Sequence, residues 1–202
     1  MHHLVPLSLV ASLLFASAAS AEKWQWDIDP DHSAVGFVAK HLVVAKVRGK
    51  FKTYDAKIIL DDKDIKNSSI EIAIDVASID TDNDKRDNHL RSDDFFNAAA
   101  HPQMKFVSKS VRRQGKDKLV VVGDLTIRDT TKTVVLHLNG PSPEFKDPAG
   151  RPHLAFSGET EVNRFDYGLK WNKAVEGGGY VVGEDVKVEL EIELTNKRPL
   201  KN

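Results

Sequence analysis

The chain contains no cysteine among its 202 residues. Disulfide cross-links and thiolate metal sites are therefore excluded, and an apolar core must supply the stability. The chain also lacks an excess of either charge, since 29 Lys and Arg residues stand against 30 Asp and Glu residues for a formal net charge of -1. Proteins that bind nucleic acid are usually visibly basic, so this composition argues against nucleic acid as a partner.

Long apolar runs are almost absent. The one such run covers residues 4–18, and it is too short and too rich in Ser and Ala to span a bilayer comfortably. Ala19-Ser20-Ala21 follows it with the small-x-small pattern of a signal-peptidase site. We therefore expect residues 1–21 to be a cleaved signal peptide and residues 22–202 to be an exported domain with no transmembrane segment. The alternative is an uncleaved membrane anchor.

The spacing patterns of common catalytic and metal-binding motifs are missing as well. No two histidines after residue 21 stand at a compact metal spacing, which leaves open only a zinc or nickel site built across strands. A Gly-x-Ser-x-Gly nucleophile elbow does not occur. His32 and Ser33 are better interpreted as satisfying backbone groups at the start of a strand. We therefore predict no catalytic residue, no metal and no resident cofactor.

What the sequence does contain is alternation of apolar and polar residues. Ile70, Ile72 and Ile74 alternate with polar or small residues, and residues 186–194 repeat the pattern. A period of two with one apolar face predicts antiparallel strands that cover a core. With turn signals between them, about eight strands are predicted, over residues 34–47, 51–60, 70–76, 104–111, 118–127, 133–138, 154–162 and 186–194.

The predicted fold class is all-β, an eight-stranded antiparallel barrel. Short connections suit an up-and-down meander, which removes exposed sheet edges by closure. Residues 42–45 and 119–122 are apolar on both faces, so we expect both runs to be strands covered on two sides. Trp24 and Trp26 are predicted to close one barrel end. A barrel of this size is filled by side chains or holds one slender ligand, and the pattern alone does not decide between them.

A charged segment near residues 83–97 interrupts the alternation and ends in two phenylalanines. We predict a short helical lid there, with Asp82 as its N-cap. Asp87 and Arg91 stand four residues apart and can form an ion pair on one helix face. One interpretation is a solvated helix on the end of the barrel. The other is a lid that presents positive charge at the barrel mouth.

An ordered series of short motifs runs through the whole chain after residue 21. The series consists of Asp31-His32-Ser33, Phe37, His41, Val47-Arg48-Gly49-Lys50-Phe51, Ser78-Ile79-Asp80-Thr81, Arg86-Asp87, His89-Leu90-Arg91-Ser92, Asp94-Phe95-Phe96-Asn97, His101-Pro102-Gln103-Met104, Phe106, Gly123-Asp124-Leu125-Thr126-Ile127, Arg164, Asp166-Tyr167-Gly168 and Val182-Gly183-Glu184-Asp185-Val186. In this order the motifs resemble the YceI family of periplasmic polyisoprenoid-binding proteins. Two positions depart from the family pattern, because Asp129 stands where Gly is usual and Asn97 where Asp is common.

The resemblance implies a lipocalin-like barrel with an elongated apolar pore. It implies that Arg86, His89 and Arg91 bind the head group of a ligand at the mouth. The candidate pore-lining residues are Phe37, Ile72, Ile74, Met104, Phe106, Leu125, Leu136 and Phe156.

The function implied by the resemblance is non-enzymatic binding, with carriage or sequestration of a long isoprenoid amphiphile in the periplasm. Polyprenyl pyrophosphate, a quinone or a similar lipid would be the bound ligand. The alternative is an enzyme or redox accessory protein that acts on a barrel-bound quinone or isoprenoid. Catalysis needs a polar cluster that excludes water, whereas the polar cluster here lies on the lid segment, which favours carriage. The sequence leaves formation of a homodimer open.

Overall fold

The computed structural model describes residues 23–42, 44–176 and 178–200, and the predicted signal peptide lies outside these ranges. The strands are β1 (Lys23–Ile28), β2 (Ala34–His41), β3 (Ala45–Phe51), β4 (Tyr54–Asp61), β5 (Ser69–Asp75), β6 (Ile79–Asp80), β7 (Gln103–Arg113), β8 (Lys118–Ile127), β9 (Thr130–Asn139), β10 (Phe145–Lys146), β11 (Pro152–Asn163) and β12 (Val182–Pro199). The one α-helix of the described residues is α1 (Asp84–Arg91), and 3-10 turns cover Ile65–Asn67, Val76–Ser78 and Arg164–Tyr167. None of the described helices has the length and apolar character needed to cross a membrane.

Eight strands form a closed antiparallel ring, which confirms the predicted barrel. Its order is β11-β9-β8-β7-β5-β4-β1-β12, and β12 closes the ring by pairing with β11. β12 is 18 residues long, so it pairs with β2 along its first half and with β1 along its second half. β2, β3 and β6 therefore extend the wall at one end only. That end, which carries α1, is called the mouth below, and the opposite end is called the base.

The predicted strand over residues 34–47 is two strands, β2 and β3, paired as a hairpin. Leu42 adopts the left-handed backbone conformation at its tip, with φ of 49°. Leu42 and Val44 are 43% and 85% exposed, so the prediction that residues 42–45 are covered on both faces is wrong. Val43 lies outside the described residues. The turn was missed because no Gly or Asn marks the positive φ, which Leu rarely adopts.

The other run behaves as predicted. Leu119, Val120 and Val121 on β8 are each at most 2% exposed. Since neighbouring residues of a strand point to opposite faces, this strand is covered on both sides. The two runs differ in their place in the fold. Residues 119–122 lie within a ring strand that is paired on both sides, whereas residues 42–45 lie at the tip of a hairpin.

The base is closed by two aromatic rings and a cation. Trp24 and Trp26 belong to β1, which was not predicted as a strand, and Trp26 is 1% exposed. The Nζ atom of Lys197 lies 4.5 Å and 5.5 Å from the two ring centroids. Lys197 also forms ion pairs with Asp62 and Glu144, at 3.2 Å and 2.9 Å. Trp24 and Trp26 therefore close one barrel end, as the sequence predicted.

Candidate functional site

The lid helix begins one residue later than its predicted cap. The Asn83 side chain accepts a hydrogen bond from the Arg86 backbone N–H at 2.9 Å and is the N-cap of α1. Asp82 instead has a φ of 59°, and its N–H donates to the Asp80 carboxylate. An N-cap normally has an extended backbone, which Asn83 has and Asp82 does not. The predicted short helical lid is otherwise confirmed.

Arg86 is fixed at the mouth through Thr81. Its Nε and Nη2 donate to the Thr81 hydroxyl and carbonyl oxygens, both at 2.7 Å. The buried Asp87 carboxylate accepts from the N–H and the hydroxyl of the same threonine. A guanidinium carries five N–H donors, and these bonds account for only two. Arg86 also lines the cavity at the mouth, so it is positioned to bind a ligand there.

Arg91 has different contacts. Its Nε and Nη2 donate to the carbonyl oxygens of Ala77 and Ile79, both at 2.8 Å, and its Nη1 donates to Asn88 at 3.1 Å. It is not among the residues that line the mouth cavity. The predicted Asp87–Arg91 partners therefore each bind elsewhere. The structure brings Arg86 and His89 together at the mouth, and it places Arg91 where it ties α1 to the chain before β6.

His89 lies in an aromatic cluster on the rim of the mouth. Its Nε2 is 2.8 Å from a carboxylate oxygen of Asp94. Its ring packs edge-on against Phe95 and Trp171, with centroid distances of 5.0 Å and 4.8 Å. Trp171 had no signal in the sequence because it comes from a loop without strand or helix periodicity. Aromatic faces on the rim suit an amphiphile that enters tail first.

The mouth cavity has a volume of about 400 Å³. Lys40, Lys85 and Arg86 supply three cations to its lining, together with His41 and His89. Among the described residues that line it, none is an Asp or a Glu. The rest of the lining is mostly apolar or aromatic. The cavity therefore combines a positive rim with an apolar floor.

An apolar cavity of about 150 Å³ lies below the mouth. Phe37, Leu90 and Phe95 line both it and the mouth cavity, so the two cavities adjoin each other. A smaller cavity of about 50 Å³ lies further toward the base. We call these two the upper and lower inner cavities. Their lining residues place the three cavities in succession from the mouth toward the base.

Seven of the eight predicted lining residues divide between these cavities. Phe37, Ile74, Met104 and Leu125 line the upper inner cavity. Ile72, Leu136 and Phe156 line the lower inner cavity. Phe106 is 5% exposed and lies between them along β7, where Met104 lines the upper cavity and Val111 the lower one.

The Phe106 ring packs closely against β8 because a glycine on that strand leaves room for it. Gly123 stands on β8, and a Cβ placed there would lie 2.4 Å from the Phe106 Cζ atom. Such a distance is far below van der Waals contact, so the ring occupies the space that a larger residue at 123 would need. Phe106 therefore packs against β8 at a level between the two inner cavities, and it lines neither of them.

Arg164 is the buried cation under the mouth, 5% exposed. Its guanidinium donates to carbonyl oxygens of Leu169, Trp171, Val182 and Gly183. Burial lowers the pKa of Arg164. These bonds shape the loop that carries Trp171, and Arg164 also belongs to the lining of the upper inner cavity. The sequence marked Arg164 only as part of the motif series.

The YceI-like domain family matches residues 26–194. A UPF0312 protein of Shewanella denitrificans is 34% identical over 191 residues, covering 95% of this chain and 96% of the relative. A UPF0312 protein of Staphylococcus epidermidis is 37% identical over 174 residues, covering 85% and 97%.

Solved structures agree on the fold. A YCEI protein of Campylobacter jejuni superposes with a TM-score of 0.62 at 28% identity, covering 81% of this chain and 90% of that one. Burkholderia cenocepacia BcnA has a TM-score of 0.71 at 24% identity, covering 83% and 99%. A polyisoprenoid binding domain from Saccharophagus degradans has a TM-score of 0.59 at 14% identity, covering 85% and 97%. At these last two identities the likeness shows the fold alone.

Proposed function

Since the chain belongs to the YceI-like family, we propose that it binds a long isoprenoid amphiphile and carries or sequesters it in the periplasm without transforming it. The observation that supports this most directly is the series of apolar cavities that lies below a cationic mouth cavity. The similar fold of a polyisoprenoid binding domain agrees with the proposal. Residues 1–21 would be removed on export.

The energetics favour burial of a prenyl tail. Transfer of one CH2 group out of water is worth about 0.8 kcal/mol before ordering costs. The upper inner cavity is lined almost wholly by apolar side chains, so a tail inside it loses no hydrogen bonds. The tail would enter past Phe37, Leu90 and Phe95, which the upper inner cavity shares with the mouth. We infer that these side chains pack against the first isoprene unit below the head group.

The mouth suits a head group of negative charge. Arg86 is positioned by Thr81, and Lys40 and Lys85 stand in the same lining. Arginine binds phosphate oxygens in a bidentate manner, whereas lysine acts as a compact point charge. A pyrophosphate head would therefore gain from all three cations. A quinone head would use the aromatic rim formed by His89, Phe95 and Trp171.

The alternative of an enzyme or redox accessory protein rests on one pair of side chains. His89 and Asp94 are hydrogen-bonded at 2.8 Å and could exchange a proton with a bound head group. Their side chains are 38% and 49% exposed, so bulk water reaches both. Acid–base catalysis benefits from a site that excludes water. Binding without chemistry therefore accounts better for this arrangement.

Native mass spectrometry tests the proposal. The protein is purified from the periplasmic fraction in a volatile buffer, and its bound lipid is extracted and identified. We expect a mature chain that begins at Glu22, carrying one isoprenoid amphiphile that the Phe106→Asp variant does not retain. An intact Met1 terminus on membrane-bound protein would contradict the compartment. Folded wild-type protein that carries no lipid and takes up none when supplied would contradict the binding function.

A further inference from the structure

A cluster of metal-ligating side chains lies on the outer wall of the barrel, near the base and away from the cavities. Asp29 follows β1, His153 is on β11 and Glu193 is on β12. One donor atom from each lies within 4.8 Å of the others. Leu154 and Leu194 face the interior beside them, so His153 and Glu193 point outward. The three residues are far apart in sequence, which explains why motif spacing did not find them.

The separations suit a transition metal. Zinc binds His nitrogen and carboxylate oxygen at about 2.0–2.2 Å, so the donors of a tetrahedral site lie roughly 3.3–3.6 Å from one another. His153 Nδ1 and Glu193 Oε1 are already 2.8 Å apart. Small side-chain rotations would bring all three donors to the tetrahedral distance. Mixed imidazole and carboxylate donors are typical of zinc and related divalent ions.

We propose that Asp29, His153 and Glu193 bind one divalent transition-metal ion of the zinc class, with His32 as a fourth ligand. His32 Nδ1 is 3.2 Å from the Asp29 carboxylate, and its side chain is 67% exposed. It can therefore rotate onto the ion without disturbing the core. The site is independent of the lipid-binding cavities and does not rest on the proposed function.

The groups behind the cluster have the arrangement that supports a metal ligand. His153 Nε2, on the far side of the ring from Glu193, faces an Asp147 carboxylate oxygen at 3.5 Å and the Thr195 hydroxyl at 3.4 Å. Asp147 is itself held by the backbone N–H and the Nε of Arg151, at 2.8 Å and 2.7 Å. A carboxylate behind a ligating histidine fixes its tautomer and orientation.

The backbone around the cluster is also fixed in advance. The Asp29 N–H donates to the Glu193 carbonyl oxygen at 2.9 Å. The Ser33 hydroxyl donates to that same carbonyl and accepts from the Glu193 N–H at 2.9 Å. His153 is 5% exposed, and Phe145 stacks on its ring at a centroid distance of 5.4 Å. The segments that carry Asp29 and Glu193 are thus hydrogen-bonded to each other, and stacking fixes the ring plane of His153.

The test uses the mature chain without an affinity tag, freed of metal with a chelator and titrated with Zn²⁺ by calorimetry and with Co²⁺ by visible absorption. We expect one equivalent of each metal and the intense cobalt bands of a tetrahedral site. The double change Asp29→Asn plus Glu193→Gln should weaken binding about 100-fold or more, and Asp147→Asn about 10-fold. The matched control is Glu191→Gln, which changes the preceding outward carboxylate of β12 and should bind like wild type.

Near-UV circular dichroism of the metal-free variants verifies that each is folded. If the double variant does not fold, Asp29→Asn and His32→Gln are tested singly, since both lie in the turn after β1. The proposal is overturned if the folded wild type binds neither metal. It is equally overturned if the folded variants bind one equivalent as tightly as the wild type, because the ion would then sit elsewhere.

Discussion

Arg86 and Arg91 stand on the same short helix, yet they contact different parts of the protein. Arg86 reaches Thr81 and lines the mouth, whereas Arg91 donates to two backbone carbonyls beside β6. The sequence treated both as lid cations, because helical spacing fixes the face of a residue but not the path of the chain that precedes the helix. Their separation is therefore a consequence of tertiary structure that residue patterns do not encode.

Removing Arg91 should destabilise the protein without changing ligand selectivity. Arg91→Ala leaves the carbonyl oxygens of Ala77 and Ile79 without their donor, and we expect the free energy of unfolding to fall by about 1–2 kcal/mol. Affinity for a prenyl pyrophosphate and for the matching prenyl alcohol should change by the same factor. Urea unfolding and ligand titration measure the two effects. A selective loss of pyrophosphate binding would place Arg91 at the head group.

Lys85 should behave in the opposite way. It is exposed and lines the mouth, so Lys85→Ala should leave the stability within about 0.5 kcal/mol of wild type. Pyrophosphate binding should weaken a few-fold, by about 0.5–1 kcal/mol, and the loss should shrink as salt rises. The prenyl alcohol should bind unchanged. Equal losses for both head groups would show that the mouth cations do not select charge.

Phe106 controls how deep a tail can reach. Phe106→Ala should open space between the upper and lower inner cavities and should cost about 3–5 kcal/mol of unfolding free energy. The longest tails should lose least affinity, because they alone can fill the joined space. Leu136→Ala enlarges the lower inner cavity only and is the matched control. If both variants showed the same dependence of affinity on tail length, Phe106 would not limit how deep the tail reaches.

At the scale of secondary structure elements, alternation predicted the strands of the ring better than their ends. Strands β5 and β12 carry their apolar residues on one face, and those residues do pack in the interior. The β2–β3 hairpin was missed because Leu42 takes a positive φ that its residue type does not signal. The start of α1 was displaced by one residue because Asp82 does the same. Both errors arise from a positive φ at a residue other than Gly or Asn, the residue types that would have signalled it.

The lid depends on one buried carboxylate. Asp87 is 4% exposed and accepts two hydrogen bonds from Thr81. Asp87→Ala leaves both donors unsatisfied and should cost about 1–3 kcal/mol, with faster amide hydrogen exchange in α1 while β8 stays protected. Asp93→Ala, on the exposed turn after α1, is the control and should have no effect. Unchanged exchange in α1 of the Asp87 variant would mean that the helix is held by other contacts.

A second carboxylate ties the turn after β4 and makes stability depend on pH. The backbone N–H groups of Asp64 and Lys63 and the side-chain amide of Asn67 donate to Asp61, and these bonds keep the pKa of Asp61 below its ordinary value. A lowered folded-state pKa stabilises the protein above the unfolded pKa of about 4, and this stabilisation is lost as the pH falls. Asp61→Asn should therefore destabilise the protein more at pH 7 than at pH 3, as measured by urea unfolding. A penalty that is equal at both pH values would show that Asp61 acts through shape and not charge.

At the scale of the whole molecule, the closed ring and its apolar interior were predictable, whereas the mouth was only partly so. Strand alternation encodes which residues face inward, and the seven predicted lining residues other than Phe106 do line an inner cavity. Lys40 and His41 join the mouth from the end of β2, and Trp171 joins it from a distant loop. The outer cluster of Asp29, His153 and Glu193 likewise exists only after β1, β11 and β12 come together. No local pattern carries such long-range coincidences.

The dependence of affinity on tail length tests the central claim most directly. A series of prenyl alcohols with one head group and increasing numbers of isoprene units is titrated into lipid-free protein. The pore account predicts that affinity rises roughly tenfold, or about 1.5 kcal/mol, for each five-carbon unit until the inner cavities are full. Affinity that does not change with tail length, or that is highest for the shortest alcohol, would contradict it.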